Sequence, residues 1–250
     1  MKKQLLGTAM TLTVAGLCST AWAAAGDTAP WSYSAPTGPH NWGELKNEYS
    51  LCSSGQTQSP IDIRDAVKTD AKMLNVAYQP SKATVSNNGH TIQVTPVDAG
   101  GITLESGHYS FVQMHFHTPS EEMIQGRTYP LDAHLVHRNA AGELAVVAVL
   151  FEEGAHNPTL EPILAAMPKS TGGTANLEAM NLAQLLPANH NAYSYMGSLT
   201  TPPCTEGVRW NVLTTPLEIS RAQLEAFQAL YPMNARPVQP LNGRSVHVGG

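Results

Sequence analysis

Residues 108–118 read HYSFVQMHFHT, a run in which side chains of two kinds take turns along the chain. Successive residues of a β-strand point to opposite faces, so Phe111, Gln113, His115 and His117 share one face. Val112, Met114, Phe116 and Thr118 share the other. One face is mainly apolar, and the other concentrates ring nitrogens beside an amide. A His-x-His pair on a strand sets two imidazoles side by side, as a tetrahedral metal needs.

The run PLDAHLVHR (130–138) extends the pattern. Asp132, His134 and Val136 fall on one face, and Leu131, Ala133, Leu135 and His137 on the other. Pairing 111–117 with 131–137 as neighbouring strands brings His134 to the first two histidines. Three neutral imidazoles with one open position form a catalytic zinc arrangement, whereas a structural site closes with a fourth protein ligand. Copper also suits three histidines, but no thiolate or methionine is placed for a blue-copper site. His137 faces away from the set and reads as a buried structural histidine. His40, His108, His156, His190 and His247 receive no role.

Around these runs lie further short β-type segments: PIDI, LNVAY, HTIQVTP, ELAVVAVLF and, later, VRWNVLT at 208–214. Turn formers separate them, among them Asn87-Asn88-Gly89 and Gly100-Gly101. Helical signals come later in the chain. Asn157-Pro158 opens TLEPILAAM with proline in the first turn, and Ser220 to Gln223 is a capping box. Leu177 to Leu186 reads as another helix. Residues 24–59 carry Trp31, Tyr33, Trp42 and Tyr49 among Gly, Pro and Ser, which suits an ordered lead-in. With 250 residues and no repeat or composition break, the chain reads as one α+β domain, mainly β. Its core is expected to be a large, mostly antiparallel twisted sheet with short peripheral helices.

The N-terminus speaks to compartment. Lys2 and Lys3 precede an apolar stretch from Leu5 to Leu17, and Ala21-Trp22-Ala23 fits the small-x-small cleavage pattern of a secretory signal. The reading is a cleaved signal over 1–23, a domain over 24–250, and an exported, periplasmic product with no membrane span. Removing 1–23 takes two of 14 basic groups and no acid, leaving 12 against 19 and a charge of about −7. That balance argues against a nucleic-acid partner. Cys52 and Cys204 remain, and an even pair in an oxidising compartment reads as one disulfide, with two buried thiols as the alternative.

The sequence resembles the α-class carbonic anhydrases in their exported bacterial form. The blocks that carry the resemblance are QSPIDI (58–63), NNGH (87–90), QMHFHTPSE (113–121), LDAHLVH (131–137), GSLTTPPCTEGVRW (197–210) and RPVQPLNGR (236–244). They occur in the family's order and span nearly the whole of 24–250. The resemblance implies zinc-dependent, reversible hydration of carbon dioxide to bicarbonate, with slow ester hydrolysis as a side activity. His115, His117 and His134 match the zinc ligands. Glu121 is expected to accept a hydrogen bond from the Thr200 hydroxyl, since an ionised carboxylate only accepts. That bond would make Thr200 orient the attacking hydroxide, while Thr201 helps hold substrate or anions. His90 matches the proton shuttle, and an unperturbed imidazole titrating near 6.5 suits that task. Tyr33 matches a tyrosine that orders the connecting waters. Gln113 and Asp132 match supports of the ligand rings. Val136, Val146, Leu199, Val208 and Trp210 match the apolar wall where carbon dioxide docks, and Cys52–Cys204 matches the family's disulfide. Sulfonamides and anions are the expected inhibitors, and a monomer or homodimer the expected state. A binding relative that had lost its metal would lack zinc histidines; all three are present.

Two positions beside the metal set depart from the family. The acid two residues before the third ligand is commonly glutamate, and here it is Asp132, one methylene shorter. Its contact with His134 is expected to be longer or water-mediated, with weaker zinc retention as the result. Glu122 stands where the family usually has histidine. Buried, it would repel Glu121 and raise a carboxylate pKa; alternatively it points to solvent.

Overall fold

The computed structural model describes residues 31–70 and 73–249, so the signal segment 1–23 lies outside the described residues. Among the described residues one sheet of thirteen strands dominates, and ten of them form a continuous path. In chain order these are β1 (Ala66–Lys68), β2 (Ser81–Asn87), β3 (Ile92–Pro96), β4 (Gly107–His117), β5 (Leu131–Arg138), β6 (Leu144–Glu153), β7 (Thr174–Met180), β8 (Ala192–Ser198), β9 (Glu206–Leu213) and β10 (Val246–Gly249). Across the sheet they run β7-β2-β3-β4-β5-β6-β9-β8-β10-β1. Along this path only β6/β9 and β10/β1 are parallel, so the expected mostly antiparallel sheet is what forms.

The strand sequences explain the layering. Along β6, Ala145, Val147, Val149 and Phe151 pack into one apolar cluster, and Val146, Ala148 and Leu150 into a second on the opposite face. A strand buried on both faces needs an unbroken apolar run, which LAVVAVLF supplies. The larger cluster takes Met114, Phe116, Leu131, Ala133 and Leu135 from β4 and β5. It also takes Leu224 and Phe227 from the helix Arg221–Gln228, whose Ser220/Gln223 capping box forms as the sequence predicts. Asn157 caps the short helical segment beginning at Pro158, accepting from the Thr159 N–H at 3.1 Å.

Two expectations are corrected. Leu177 to Leu186 is not a helix: Thr174–Met180 is the edge strand β7, paired antiparallel with β2, and Leu182–Leu185 is a 3-10 turn capped by Asn181. Its leucine spacing fits a helix, but the unpaired edge of β2 offers backbone partners that such a short helix lacks, and pairing prevails. Phe111 also leaves the metal face. Val136 pairs with Gln113 but His137 with Phe111, so Val112 is an extra residue at a bulge. The bulge reverses the alternation, and Phe111 packs edge-on against Tyr78 and His137 on the far side.

The lead-in is ordered over its described part. Trp42, Tyr49, Cys52 and Cys204 form a third cluster with Trp31 and Tyr33 packed on it. The disulfide Cys52–Cys204 forms across a sequence separation of 152.

Candidate metal centre

The register of β4 and β5 sets His134 directly opposite His115, and Asp132 opposite His117. His115, His117 and His134 therefore share the face carrying the smaller apolar cluster. Their ring centroids are 5.0, 5.4 and 4.6 Å apart, and one ring nitrogen from each falls within 4.8 Å of the others. A cavity of about 1180 Å3 lies elsewhere, lined by Met73, Leu104, Met196, Arg209 and His247 among others. Its lining includes none of the three histidines.

Each ring is fixed by its other nitrogen. His115 donates from Nδ1 to Gln113 Oε1 at 2.9 Å, and His117 from Nδ1 to the backbone carbonyl of Asn234 at 2.7 Å. His134 donates from Nε2 to Glu122 Oε2 at 3.0 Å. A carbonyl and a carboxylate oxygen only accept, so these contacts set the tautomers. Nε2 of His115, Nε2 of His117 and Nδ1 of His134 remain as lone pairs. His117 Nε2 is buried with no hydrogen-bond partner. Burying such a nitrogen unpaired is costly, and a metal satisfies it. The donor set fits a divalent metal that prefers three imidazoles and an open position.

Electrostatics agree for His115. Burial, and then the neighbouring His117 and His134, hold His115 well below the usual imidazole range, so it is neutral. For His134 burial pushes the pKa down, but Asp132 and Glu122 together push it well above its ordinary value. Glu122 is fully buried, which resolves the sequence alternatives in favour of the interior. Burial raises its carboxyl to about 7, opposed by His134 and reinforced by Asp132 and Glu121. Asp132 accepts the Glu121 N–H at 2.8 Å through Oδ2, which stands 3.3 Å from His134 Nε2.

The remaining expected residues gather around this centre in part. Val136, Val146, Val208 and Trp210 belong to one cluster with Leu199 packed against it, and Trp210 meets His134 edge-on at 4.9 Å. Register explains this: Val136, Val146 and Trp210 stand in one row across β5, β6 and β9. Thr200 is buried and Thr201 half-buried in the turn joining β8 and β9, which Leu199 N–H to Thr205 O and Cys204 N–H to Thr201 O close at 2.9 Å each. The hydrogen bond expected from Thr200 to Glu121 is not formed. Glu121 Oε1 accepts the Arg236 N–H at 2.8 Å, and Oε2 is buried without a partner.

His90 is half-buried and stacks on Trp31 at 3.6 Å, and burial lowers its pKa from 6.5. It is therefore not the unperturbed imidazole that the sequence suggests. Tyr33 packs edge-on against Trp31 and Trp42, and burial with the Glu121 and Asp132 charges raises its phenol well above 10. His137 is buried on the far face, its Nε2 2.8 Å from the Tyr78 hydroxyl, as expected of a structural histidine.

Sequence reasoning assigned no role to Asn234 or Arg236, and left Glu122 open. Asn234 Oδ1 accepts the Thr118 N–H at 2.7 Å, and its Nδ2 donates to the His90 and Phe116 carbonyls at 3.0 Å each. The Arg236 guanidinium donates to Gln58 Oε1, Ser59 O and Cys52 O at 2.7–2.9 Å. Burial lowers its pKa to about 10, opposed by Glu121. The only sequence signal for these two was their place in or beside the block 236–244.

A family profile described as eukaryotic-type carbonic anhydrase matches residues 37–249. The chain is 46% identical to a carbonic anhydrase of Klebsiella pneumoniae over 220 residues, covering 86% of this chain and 89% of that one. It is 44% identical to a carbonic anhydrase of Neisseria gonorrhoeae over 92% of this chain and 93% of that one. Among solved structures, the Thermovibrio ammonificans α-carbonic anhydrase in complex with the inhibitor sulfanilamide superposes with a TM-score of 0.86 at 44% identity. The match covers 88% of this chain and 99% of that one. The chain belongs to the α-carbonic anhydrase family.

Proposed function

We propose that this chain is a zinc enzyme interconverting carbon dioxide and bicarbonate, with His115, His117 and His134 as the metal ligands. The observation that carries the reading is the set of three ring nitrogens turned to one point, each fixed by a hydrogen bond on the opposite nitrogen. Zinc held there supplies a Lewis acid that makes hydroxide available near pH 7, a value general to this enzyme family and taken from it.

The chain's own residues do the rest. The Gln113 amide, the Asn234 carbonyl and Glu122 hold the three imidazoles in the binding tautomer. The wall of Val136, Val146, Leu199, Val208 and Trp210 excludes water and receives an apolar gas molecule. Glu121 Oε2, buried and unpartnered, is the acceptor available to the Thr200 hydroxyl, so that the Thr200 oxygen in turn accepts from the reacting species. Thr201 and the Thr200 amide hold the anion. A neutral His90 nitrogen takes up the proton and passes it to solvent. The Tyr33 phenol stays protonated at every working pH and positions water between them.

Export to the periplasm under a signal over 1–23 belongs to the same proposal. The Cys52–Cys204 bridge supports it, because disulfides persist in oxidising compartments. No helix among the described residues is long and apolar enough to cross a membrane. The test combines metal analysis with stopped-flow carbon dioxide hydration, with and without a sulfonamide. One zinc per chain and sulfonamide-sensitive hydration are expected; a zinc-replete protein with no hydration sinks the reading.

A further inference from the structure

We infer that Glu122, rather than Asp132, orients the third histidine of the metal set. The inference rests on the metal site proposed above.

The geometry makes the assignment. Asp132 precedes His134 by two residues on β5, so both side chains lie on one face, but its side chain is a methylene short. Its Oδ2 lies 3.3 Å from His134 Nε2 and is engaged at 2.8 Å by the Glu121 N–H. Glu122 approaches the same nitrogen from the segment after β4 and meets it at 3.0 Å, forming the hydrogen bond. Among the described residues, the His134 N–H is the only hydrogen-bond partner of the Glu122 carboxylate, whose Oε1 has none. Both acids are fully buried. A buried carboxylate needs a compensating donor or charge, and a ring N–H polarised by a cation on its other nitrogen supplies both. A longer acid at 122 thus takes over the bond to His134, while the shorter acid at 132 ties down the Glu121 backbone.

The consequence reverses the simpler expectation that Asp132 weakens zinc retention. Losing an acceptor behind a metal-bound histidine typically costs about 10–100-fold in metal affinity or activity. Glu122→Ala should therefore release zinc to a chelator about 10–100-fold faster than wild type. Asp132→Asn should release it more slowly than Glu122→Ala. Adding Asp132→Glu to Glu122→Ala restores the missing methylene and should recover most of the loss. In the cobalt-substituted protein, Glu122→Ala should shift the visible d–d bands, which a loss confined to packing elsewhere would leave in place. If Glu122→Ala does not fold, Glu122→Met keeps most of the volume without an oxygen acceptor and should also release zinc faster than wild type.

Wild-type release rates in Glu122→Ala or Glu122→Met would overturn the inference. So would an Asp132→Asn variant that loses zinc as fast as Glu122→Ala, or an uncorrected double variant. A wild-type protein that fails to take up one zinc overturns the metal reading itself. Normal zinc uptake with indifferent Glu122 variants overturns this inference alone.

Discussion

His117 donates from Nδ1 to the backbone carbonyl of Asn234, 2.7 Å away and 117 residues later in the chain. The Asn234 side chain returns the contact by accepting from Thr118 N–H and donating to the carbonyls of Phe116 and His90. One residue therefore ties the ligand strand to the segment bearing His90. Asn234→Ala strands the buried Thr118 N–H and the part-buried His90 carbonyl, while the Phe116 carbonyl keeps the Thr91 hydroxyl. The cost is about 1–3 kcal/mol for each group left unsatisfied and less where water enters. We expect a loss of about 2–4 kcal/mol in unfolding free energy, together with weaker zinc binding. Urea titration with chelator competition checks both.

His90 lies flat against Trp31, and burial lowers its pKa. Trp31→Ala removes that cover, so the imidazole should titrate closer to 6.5, and an NMR titration reads the upward move directly. In the hydration assay at low buffer, His90→Ala should lower kcat by about 10²-fold, the low end for a proton-transfer group, and added imidazole should restore it. A variant with wild-type kcat would remove His90 from the proton path.

Burial, aided by a nearby His108, lowers His137 to about 3, although it also receives stabilising backbone contacts. Its folded pKa is depressed below 6.5, so the folded form stays neutral while the unfolded chain takes up a proton. Stability is full above pH 6.5 and falls between 6.5 and 3, by about 1.4 kcal/mol for each pH unit from this group alone. His137→Gln is neutral in both states, so its stability should decline less steeply than wild type between pH 6 and 4. Parallel acid limbs in denaturant titrations would contradict this.

The Cys52–Cys204 bridge closes a separation of 152 residues and anchors the turn that carries Thr200 and Thr201. The Cys52→Ser/Cys204→Ser variant should lose about 3–5 kcal/mol in the chain-entropy account. The Leu199 and Cys204-position amides, bonded within that turn, should exchange hydrogen faster. Unchanged exchange would mean that Arg236 and Gln58, which hold the carbonyls of Cys52 and Cys204, brace the turn unaided.

The reach of the sequence follows from the range of the forces involved. Strand alternation is a local property, so His115 and His117 on one face, His134 two residues after Asp132, and Met114 with Phe116 in the core were all legible. The Ser220 capping box and the Asn157 cap were legible for the same reason, since each closes within three residues. What failed depended on a neighbouring strand. A bulge opposite Val136 and His137 turned Phe111 away from the three-histidine face, and the free edge of β2 drew 174–180 into a strand.

The supports behind the metal set divide the same way. Gln113, two residues from His115 on the same strand face, follows from alternation alone. Asn234 and Arg236 reach the site from more than 100 residues away, through backbone groups that carry no side-chain signature. Glu122 lies just beyond the ligand strand, where alternation no longer fixes direction. The sequence by itself thus determined which three histidines come together, the mostly antiparallel sheet and the family. Tertiary packing decided that two acids meet His134, Glu122 at 3.0 Å and Asp132 at 3.3 Å, because only the folded core brings the segment after β4 against β5.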